Sequence, residues 1–543
     1  MPGLKTNALY YGDNLQILRD YVPDESIDLI YLDPPFNSNR SYNVLFSETS
    51  SAASHAQIEA FEDTWHWGKV AQDTFEDIAL HGGDDTARLL KAMVDALGHN
   101  DVTAYLTMMA VRLVELRRVL KPTGTLWLHC DPTAGHYLKV LMDSVFDPRR
   151  FVDQVVWKRS SAHSDVTQGA RHFGRISDLL LVYSKGPDYL WNTLYTPHSQ
   201  TYMDAFYKHV EPGTGRRYQL DNLTAAKPGG DTRYEWKGVL PYKGRYWAYS
   251  RQNMEEFDRQ GRLVYPKRGG VPRYKRYLDE MQGVPLQNIW DDIPPIHSRS
   301  PERLGYPTQK PLALLERVIR IGSNEGDFVL DPFCGCGTAV HAAQKLGRQW
   351  IGIDITHLAI GLVRRRMEDA FAGLNIEVVG EPVDLSGAQE LAAHDPYQFQ
   401  WWALDKISAL PVGDRRKGMD RGIDGIIPFL EGRSDRKRVI VSVKGGGISS
   451  KDVRDLKGVL EREGEPIGVL VTLRAPSREM RLEAVATGAY ESASWGRKYP
   501  RIQILTVADV LNGKKVEMPP PDSPFARAER ERDQEGEQGA LTV

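Results

Sequence analysis

The chain of 543 residues is too long for one hydrophobic core, so we expect two to four domains. Hydrophobic residues make up 41% and charged residues 26%, which excludes a mostly disordered chain, and a net charge of −3 excludes a uniformly basic nucleic-acid coat. The three cysteines, Cys130, Cys334 and Cys336, cannot build a disulfide framework and favour a reducing compartment. Without a secretory signal or an apolar run of about 20 residues, we expect a soluble cytoplasmic protein with no membrane partner.

Residues 1–190 alternate short apolar runs with amphipathic stretches. The runs 26–32 and 124–129 are typical of buried strands, and 105–120 carries apolar residues at helical spacing. Pro122 to Gly124 is expected to end that helix and turn the chain into the next strand. Such alternation predicts parallel pairing in a layered α/β domain.

Residues 191–300 form a segment of another kind, aromatic, basic and rich in Gly and Pro, with no sustained period of helix or strand. Residues 201–280 hold 16 Lys and Arg against 10 Asp and Glu, an excess of positive charge in a chain that is net negative. This segment is predicted to be an insert.

The α/β pattern returns over 301–380, where 327–331 and 349–354 read as strands on either side of a helix. A further, smaller α/β unit is predicted over 395–518. The tail, 519–543, is Pro-rich and then highly charged, and we expect it to be disordered.

The first motif with chemical content is Asp33-Pro34-Pro35-Phe36, directly after a predicted strand. Two consecutive prolines cannot continue a sheet ladder, so the strand must end in a rigid loop at its carboxyl edge. Open α/β sheets bind their ligands at that edge. A simple turn is the alternative explanation of this motif.

The second motif is Asp331-Pro332-Phe333-Cys334-Gly335-Cys336-Gly337-Thr338, again a strand, then glycines, then a helix. The glycines let the backbone approach a ligand closely, and the helix start offers unpaired N–H groups. Asp354 ends the next predicted strand, about 20 residues on, where an acid commonly binds ribose hydroxyls.

We expect no metal at this motif. Cys334, Cys336 and His341 lie close together in the sequence, but no second Cys/His pair follows to complete a four-ligand site. His341 is interpreted as a residue of the helix.

Together these motifs resemble the beta class of amino-group DNA methyltransferases, in which the Asp-Pro-Pro loop precedes the insert and the Gly-rich motif. Three further elements match that family in order: Tyr11 to Asn14, Val119 to Gly124, and Pro307 to Pro311. The resemblance covers about residues 7–375. It implies an α/β, Rossmann-like fold with circularly permuted motifs, S-adenosylmethionine as cofactor and an inserted target-recognition domain.

The resemblance also implies roles for individual residues. Asp33 and the Pro34 carbonyl would accept the N–H bonds of the target amine, so that its lone pair can point at the sulfonium methyl group; Pro35 completes the loop. Phe36 would stack on a base flipped out of the duplex. Asp354 would hold the ribose, Asp13 would lie near the adenine, and the remaining cofactor contacts would be Thr308, Gln309, Lys310, Asp331, Phe333, Gly335, Gly337 and Thr338.

Aspartate at position 33 resembles the adenine-N6 enzymes more than the cytosine-N4 enzymes, which commonly have serine there, and both alternatives stay open. The insert occupies the position of the family's target-recognition domain. Its candidate contacts to double-stranded DNA are Arg245, Arg251, Lys267, Arg268, Arg273, Lys275 and Arg276, with a solvated basic surface as the alternative.

The C-terminal unit resembles the restriction-endonuclease-like PD-(D/E)XK fold, with Asp424 before one strand and Lys444 at the end of the next. Ser442 stands where the second acid is expected. Gln398 and Gln400, ahead of Trp401 and Trp402, lie on the predicted preceding helix, where related folds often carry Glu. Missing carboxylates weaken a Mg²⁺ site, so we expect this unit to engage DNA without cutting it.

The overall prediction is a site-specific DNA methyltransferase of a restriction–modification system. The alternatives are a combined restriction–modification enzyme that also cleaves, and a DNA-binding module that has lost catalysis. Asp33, Phe36, Gly335 and Asp354 are all in place, which argues against loss of catalysis. A homodimer and a cognate restriction endonuclease are left open as partners.

Overall fold

The protein is described from a computed structural model. It describes residues 4–34, 41–45, 57–62, 67–81, 84–160, 171–227, 229, 232–297, 300–304, 306, 308–412, 422–431 and 435–521. These residues fall into two compact units, 193–287 and the rest of the described chain. Within the described part, no helix is both long enough and apolar enough to cross a membrane.

The strands in chain order are β1 Ala8–Tyr11, β2 Ile27–Leu32, β3 Ser41–Leu45, β4 Gln57–Glu62, β5 Leu120–Cys130, β6 Phe151–Lys158, β7 Ser177–Ser184, β8 Tyr195–Thr196, β9 His209–Val210, β10 Arg217–Asn222, β11 Thr224–Ala225, β12 Tyr246–Trp247, β13 Leu263–Val264, β14 Arg273–Tyr277, β15 Val284–Pro285, β16 Ile289–Trp290, β17 Phe328–Asp331, β18 Gln349–Asp354, β19 Glu377–Val379, β20 Leu410–Pro411, β21 Gly425–Glu431, β22 Asp435–Lys444, β23 Ile467–Thr472, β24 Ala489–Ser492, β25 Arg497–Pro500 and β26 Ile502–Thr506.

The helices are α1 Asn14–Tyr21, α2 Lys69–His81, α3 Asp84–Leu97, α4 Asp101–Val119, α5 Pro132–Phe146, α6 Gln200–Phe206, α7 Arg251–Arg259, α8 Leu312–Gly322, α9 Thr338–Lys345, α10 His357–Ala370, α11 Leu385–His394, α12 Pro396–Lys406, α13 Ser450–Glu463, α14 Arg478–Ala486 and α15 Val507–Leu511.

Among the described residues, nine strands form the main sheet in the order β16-β6-β7-β5-β2-β17-β18-β1-β19. All neighbours pair parallel except β7, which is antiparallel to both β5 and β6. The buried apolar residues of α1, α4 and α5 cover this sheet and form its core with the strands. This is the predicted Rossmann-like fold with permuted motif order, in which β2 and β17 are direct neighbours.

Two predicted boundaries in this unit were wrong. Helix α4 begins at Asp101 rather than at 105, because the side chain of Asn100 accepts from Thr103 N at 3.1 Å and caps the helix. Strand β5 begins at Leu120 rather than at 124, because Leu120 already pairs with Ile27 of β2. An irregularity in that pairing accommodates the segment that was predicted to be a turn.

Residues 193–287 contain regular structure that sequence periodicity did not predict. Their main sheet has the order β13-β14-β10-β9, and its strands are two to six residues long. Strands this short show no alternation over a window of useful length. A small core around the fully buried Trp247 and Met254 holds the unit together.

The C-terminal region is built around a five-stranded sheet of order β20-β21-β22-β23-β26. Its hydrophobic core includes Ala388 of α11, so it begins ahead of residue 395. The predicted tail is described only to Pro521, which bridges to Phe429. The disorder predicted for the rest of 519–543 lies outside the described residues.

Candidate active site

A cavity of about 250 Å³ lies at the carboxyl ends of β1, β2, β17 and β18. It brings together most of the predicted site residues, although they come from distant parts of the chain: Asp13, Asp33, Pro34, Thr308, Gln309, Lys310, Asp331, Phe333, Gly335, Thr338 and Asp354. Gly337 does not line it. Pro35 and Phe36 lie outside the described residues, so their predicted roles stay predictions.

The carboxylate of Asp33 forms an ion pair with the ammonium group of Lys310. The Lys310 side chain is 10% exposed and that of Asp33 17%, so little water screens this pair. The resemblance implied that Lys310 contacts the cofactor. In the structure its ammonium group lies on Asp33, the candidate catalytic acid.

The segment that carries Lys310 has an unusual backbone. Thr308 has φ of +63°, a left-handed conformation that is rare for a β-branched residue. Gln309 holds the segment in place, because its side chain donates to Glu302 O at 2.7 Å and accepts from Leu304 N at 2.9 Å. These bonds give Gln309 a structural role in shaping the loop that presents Lys310.

The Gly-rich loop between β17 and α9 has two left-handed glycines, Gly335 with φ of +48° and Gly337 with φ of +75°. A Cβ on Gly337 would lie 2.7 Å from Val363, so this glycine permits tight packing of α10 rather than contact with a ligand. The buried Arg366 stabilises the loop through hydrogen bonds. It donates to Cys336 O at 3.0 Å and to Thr338 Oγ1 at 3.1 Å.

Asp331 ends β17 and is 3% exposed. Its side chain accepts from Phe333 N at 3.1 Å. Burial raises the pKa of this carboxyl well above its usual range, and the neighbouring carboxylates Asp33 and Asp354 raise it further.

Asp354 ends β18, and its two carboxylate oxygens organise the loops on either side. Oδ2 accepts from Gly335 N at 3.0 Å, and Oδ1 accepts from both the amide and the hydroxyl of Thr356 at 2.9 Å. Burial raises the pKa of Asp354 to about 6, against the opposing effect of these hydrogen bonds. Oδ2 has acceptor capacity beyond its bond from Gly335 N, which suits it to bind a hydroxyl group.

Asp13 caps helix α1 by accepting from Leu15 N at 3.0 Å and forms a 2.7 Å ion pair with Arg112. Its neighbour Asn14 donates to Pro332 O at 2.8 Å and accepts from Arg112 Nε at 2.6 Å. This network ties the start of α1 to the Gly-rich loop. Arg112 was not predicted, although a charge inside the apolar run of α4 signalled a buried polar contact.

A chain of buried polar side chains crosses the sheet beside Asp33. Tyr31 Oη lies 2.9 Å from His129 Nδ1, and His129 Nε2 lies 3.2 Å from Asp178 Oδ2. Burial alone would raise the pKa of Asp178, but the hydrogen bond to His129 and the charges of Lys310 and Arg159 lower it below its usual value. The chain orients Tyr31, which lines the cavity. Its sequence signal was a polar side chain within each apolar strand, one residue from an end.

The cysteines of the Gly-rich loop are buried, and burial raises the pKa of both Cys334 and Cys336. His341 accepts from Arg366 Nε at 3.2 Å and is 4% exposed. Within the described ranges, no group of three or more His, Cys, Asp or Glu side chains is arranged to hold a metal ion.

The predicted DNA contacts in residues 193–287 divide into two sets. Four cations have partners inside the unit: Arg245 donates to Thr224, Arg251 to Glu235 O, Lys275 pairs with Glu211, and Arg276 pairs with Asp221. Lys267, Arg268 and Arg273 are exposed, and no ion pair joins them to the described residues. The second set is better suited to contact phosphates, because the first set already stabilises the fold.

In the C-terminal region, Asp424 Oδ2 accepts from Val443 N at 2.6 Å and from Ser442 Oγ at 3.1 Å. Lys444 ends the same strand, β22. Asp424 therefore uses its carboxylate to hold β22 in place, with a serine hydroxyl where a second carboxylate would be needed to share a cation.

Comparison with known families gives two matches. The N6_N4_Mtase family, described as DNA methylase, matches residues 27–363, more than half of the chain. Residues 401–512 match a family described as NACHT-associated inactive Restriction Endonuclease 1. The C-terminal region is therefore similar to an inactive nuclease domain, in agreement with the departures at Gln398 and Ser442.

Curated relatives agree with the first match. The chain is 29% identical to the Type II methyltransferase M.EcaI of Enterobacter cloacae, over 66% of this chain and 69% of that protein. It is 28% identical to the Type III restriction-modification enzyme StyLTI Mod subunit of Salmonella typhimurium, over 63% of this chain and 50% of the relative. The DNA adenine methyltransferase YhdJ of Escherichia coli is 25% identical, over 68% of this chain and 85% of that protein.

Proposed function

This chain belongs to the N6_N4_Mtase family of DNA methylases, and from that premise we propose that it methylates an exocyclic amine in double-stranded DNA. The cofactor in this proposal is S-adenosylmethionine and the target is adenine N6 within a short sequence. One observation carries the proposal: Asp33, the Gly-rich loop and Asp354 face a single cavity.

The residues of the cavity fit this cofactor. Its wall at Gly335 is bare backbone, and a Cβ there would lie 3.2 Å from the ring of Tyr306. Asp354 offers Oδ2 to the ribose hydroxyls. Its carboxylate also supplies negative charge, which favours a sulfonium cation. When bound, the cofactor supplies an electrophilic methyl group.

Asp33 and the Pro34 carbonyl would position the nucleophile. An exocyclic amine is a weak nucleophile because its lone pair is delocalised into the ring, and two acceptors on its N–H bonds favour a pyramidal nitrogen. Lys310 engages Asp33 Oδ2, so Asp33 Oδ1 is the oxygen we assign to the amine. The ionised carboxylate stabilises the positive charge that develops on nitrogen and can accept the proton released afterwards.

The proposal is tested with purified protein, unmethylated DNA and S-adenosylmethionine that carries an isotopic label in its methyl group. Digestion of the DNA and mass spectrometry should show labelled N6-methyldeoxyadenosine. Labelled N4-methyldeoxycytidine would instead establish the cytosine alternative. If the protein is folded and binds the cofactor but neither labelled nucleoside forms, methyl transfer to DNA would be contradicted. Single-molecule sequencing of the product should then identify the recognition sequence.

The exposed cations of residues 193–287 are proposed to contact DNA phosphates. Replacing Lys267 and Arg268 together with alanine should weaken duplex binding and reduce the slope of log K against log salt by about 2, one phosphate contact for each side chain. Cofactor affinity should be unchanged. The measurement is a salt titration of DNA binding by fluorescence anisotropy.

A matched control removes two exposed lysines elsewhere, Lys69 and Lys91. It should keep the wild-type slope, since the same net charge is lost at a different surface. An unaltered slope in the Lys267/Arg268 variant would show that this basic surface is only solvated.

We propose that the C-terminal region does not cleave DNA. Asp424, Ser442 and Lys444 supply only one carboxylate, which is too weak a site for the Mg²⁺ that phosphodiester hydrolysis requires. Incubation of the protein with unmethylated plasmid and Mg²⁺ or Mn²⁺, without S-adenosylmethionine, should leave the plasmid intact. Site-specific breaks that disappear in Asp424→Ala would establish the combined restriction–modification alternative.

A further inference from the structure

Helix α10 starts just after Asp354, and a side chain of the C-terminal region forms a hydrogen bond with the first turn of this helix. The N–H groups of the first turn have no partner within their own helix. Thr356 caps one of them by accepting from Ala359 N at 3.2 Å. Another, the N–H of His357, donates to Oε1 of Gln398 at 3.2 Å. Gln398 belongs to α12 and is 7% exposed, so α12 supplies a buried cap to α10.

Charged side chains fasten the same two helices further along. Asp405 of α12 forms ion pairs with both Arg364 and Arg365 of α10, and its side chain is 8% exposed. Gly361 permits this approach, since a Cβ there would lie 2.4 Å from Asp405 Oδ1. The contact between α10 and α12 is therefore close and specific in register.

A second ionic group lies beside the first turn of α10. Lys406 of α12 binds Glu381 at 2.7 Å, and Glu381 lies 3.6 Å from His357 Nδ1. Burial alone would raise the pKa of Glu381, but the nearby His357 ring and the ammonium group of Lys406 lower it to about 2. His357 is thus held through its backbone by Gln398, and Glu381 lies beside its ring.

These contacts lead directly to the cavity. The His357 ring stacks on Tyr11 with 3.6 Å between ring centroids, and Tyr11 pairs with Asp354 in the sheet. The next residue, Gly12, donates its N–H to Asp354 O at 3.0 Å. Tyr306 makes a second connection between the C-terminal core and the cavity. It lines the cavity wall beside Gly335 and also packs against the C-terminal core.

We propose that Gln398 is a positioning residue for the cofactor site, and that the nuclease-like region acts through it to hold the loop of Asp354 and Thr356 in its binding geometry. Gln398 and Gln400 lie on the helix where related nuclease folds often carry Glu, and here the side chain of Gln398 caps α10. The inference rests on the proposed function, because it concerns affinity for S-adenosylmethionine. It assigns the C-terminal region a role in cofactor binding, separate from cleavage and from contact with DNA.

The test compares two substitutions in the full-length protein. Gln398→Leu keeps the approximate size of the side chain and removes the acceptor, which leaves the N–H of His357 buried without a partner. We expect the Kd and KM for S-adenosylmethionine to rise about 5- to 20-fold, with kcat at saturating cofactor and DNA affinity unchanged. Gln398→Glu restores an accepting oxygen at the third position of α12, where an acid is favoured, and should recover cofactor affinity to within about 2-fold.

Met480→Ala serves as the control for general loss of stability in the same region. Met480 is a fully buried residue of α14, a helix that packs against α13 and β26. This variant should lower Tm at least as much as Gln398→Leu while it leaves the Kd for S-adenosylmethionine at the wild-type value. If Gln398→Leu does not fold, Asp405→Asn replaces it, since it removes the ion pairs to Arg364 and Arg365 without a change of size.

The outcomes separate the inference from the proposed function. Wild-type cofactor affinity in Gln398→Leu, failure of Gln398→Glu to restore binding, or an equal loss of affinity in Met480→Ala would each overturn the positioning role. Wild-type protein that binds no S-adenosylmethionine would instead overturn the proposed function. Methylation by the wild type together with a cofactor-specific defect in Gln398→Leu would support both.

Discussion

Replacement of Asp33 by alanine is expected to lower the rate of methyl transfer at least about 10²-fold, while cofactor affinity changes no more than a few-fold. The carboxylate is assigned to the target amine, so its loss removes both orientation and stabilisation of the developing charge. Single-turnover transfer of labelled methyl groups measures the first effect, and calorimetry with S-adenosylmethionine measures the second.

Two controls accompany this substitution. Asp33→Ala leaves the ammonium group of Lys310, a residue only 8% exposed, without its carboxylate, so some loss of stability is expected and thermal unfolding must be recorded. Asp33→Asn keeps one oxygen and the size of the side chain but loses the charge, and should still be strongly impaired. Loss of cofactor binding in either variant, with folding intact, would contradict the assignment of Asp33 to the amine.

Replacement of Asp354 by alanine should have the opposite pattern and weaken S-adenosylmethionine binding by about 1–3 kcal/mol, roughly a factor of 5 to 150. The ribose hydroxyls lose their acceptor, and the amides of Gly335 and Thr356 lose theirs. Calorimetry gives the affinity, and kcat at saturating cofactor should fall much less. Unchanged affinity would remove Asp354 from the site.

The same residue should make cofactor affinity depend on pH. Burial places the pKa of Asp354 at about 6, above its ordinary value, so the carboxylate is charged above pH 6 and neutral below it. Hydroxyl donors bind the charged form more strongly, and affinity should therefore decrease as the pH falls through about 6. Asp354→Asn cannot titrate and should show a flat profile over this range; an equally steep profile would assign the titration to another group.

Local patterns were enough to place three of the four strands that carry the site, whereas β1 was not predicted. Strands β2, β17 and β18 are apolar runs ended by Asp-Pro or by Asp, and β18 was predicted with both its bounds, 349 and 354. A buried parallel strand has to be apolar on both faces and ends where polar residues begin. Its position can therefore be predicted from the sequence. The resemblance then indicated that these ends belong to one site, and the cavity brings them together.

The ends of elements were less predictable where a partner decides them. Asn100 caps α4, which begins at Asp101, four residues ahead of the predicted start at 105. Leu120 joins β5 because Ile27 of β2 is beside it. The short strands of residues 193–287 depend in the same way on their neighbours. Hydrophobic periodicity indicates whether a segment can form a helix or a strand. Contacts with residues distant in sequence decide where that helix or strand begins and ends.

The partners of polar side chains could not be read from the chain. Lys310 on Asp33, His129 between Tyr31 and Asp178, and Gln398 on His357 each join residues that are far apart in sequence. A polar residue removed from water must find a partner, but composition does not tell which neighbour the fold will bring to it. Arg245 illustrates this: its charge predicted a contact with DNA, which stays a prediction, and only the folded unit shows that its side chain donates to Thr224. The positions of the long apolar strands therefore follow from local physical preference. Only the tertiary structure decides which side chains meet, because hydrogen bonds and ion pairs act over a few ångströms of space irrespective of sequence separation.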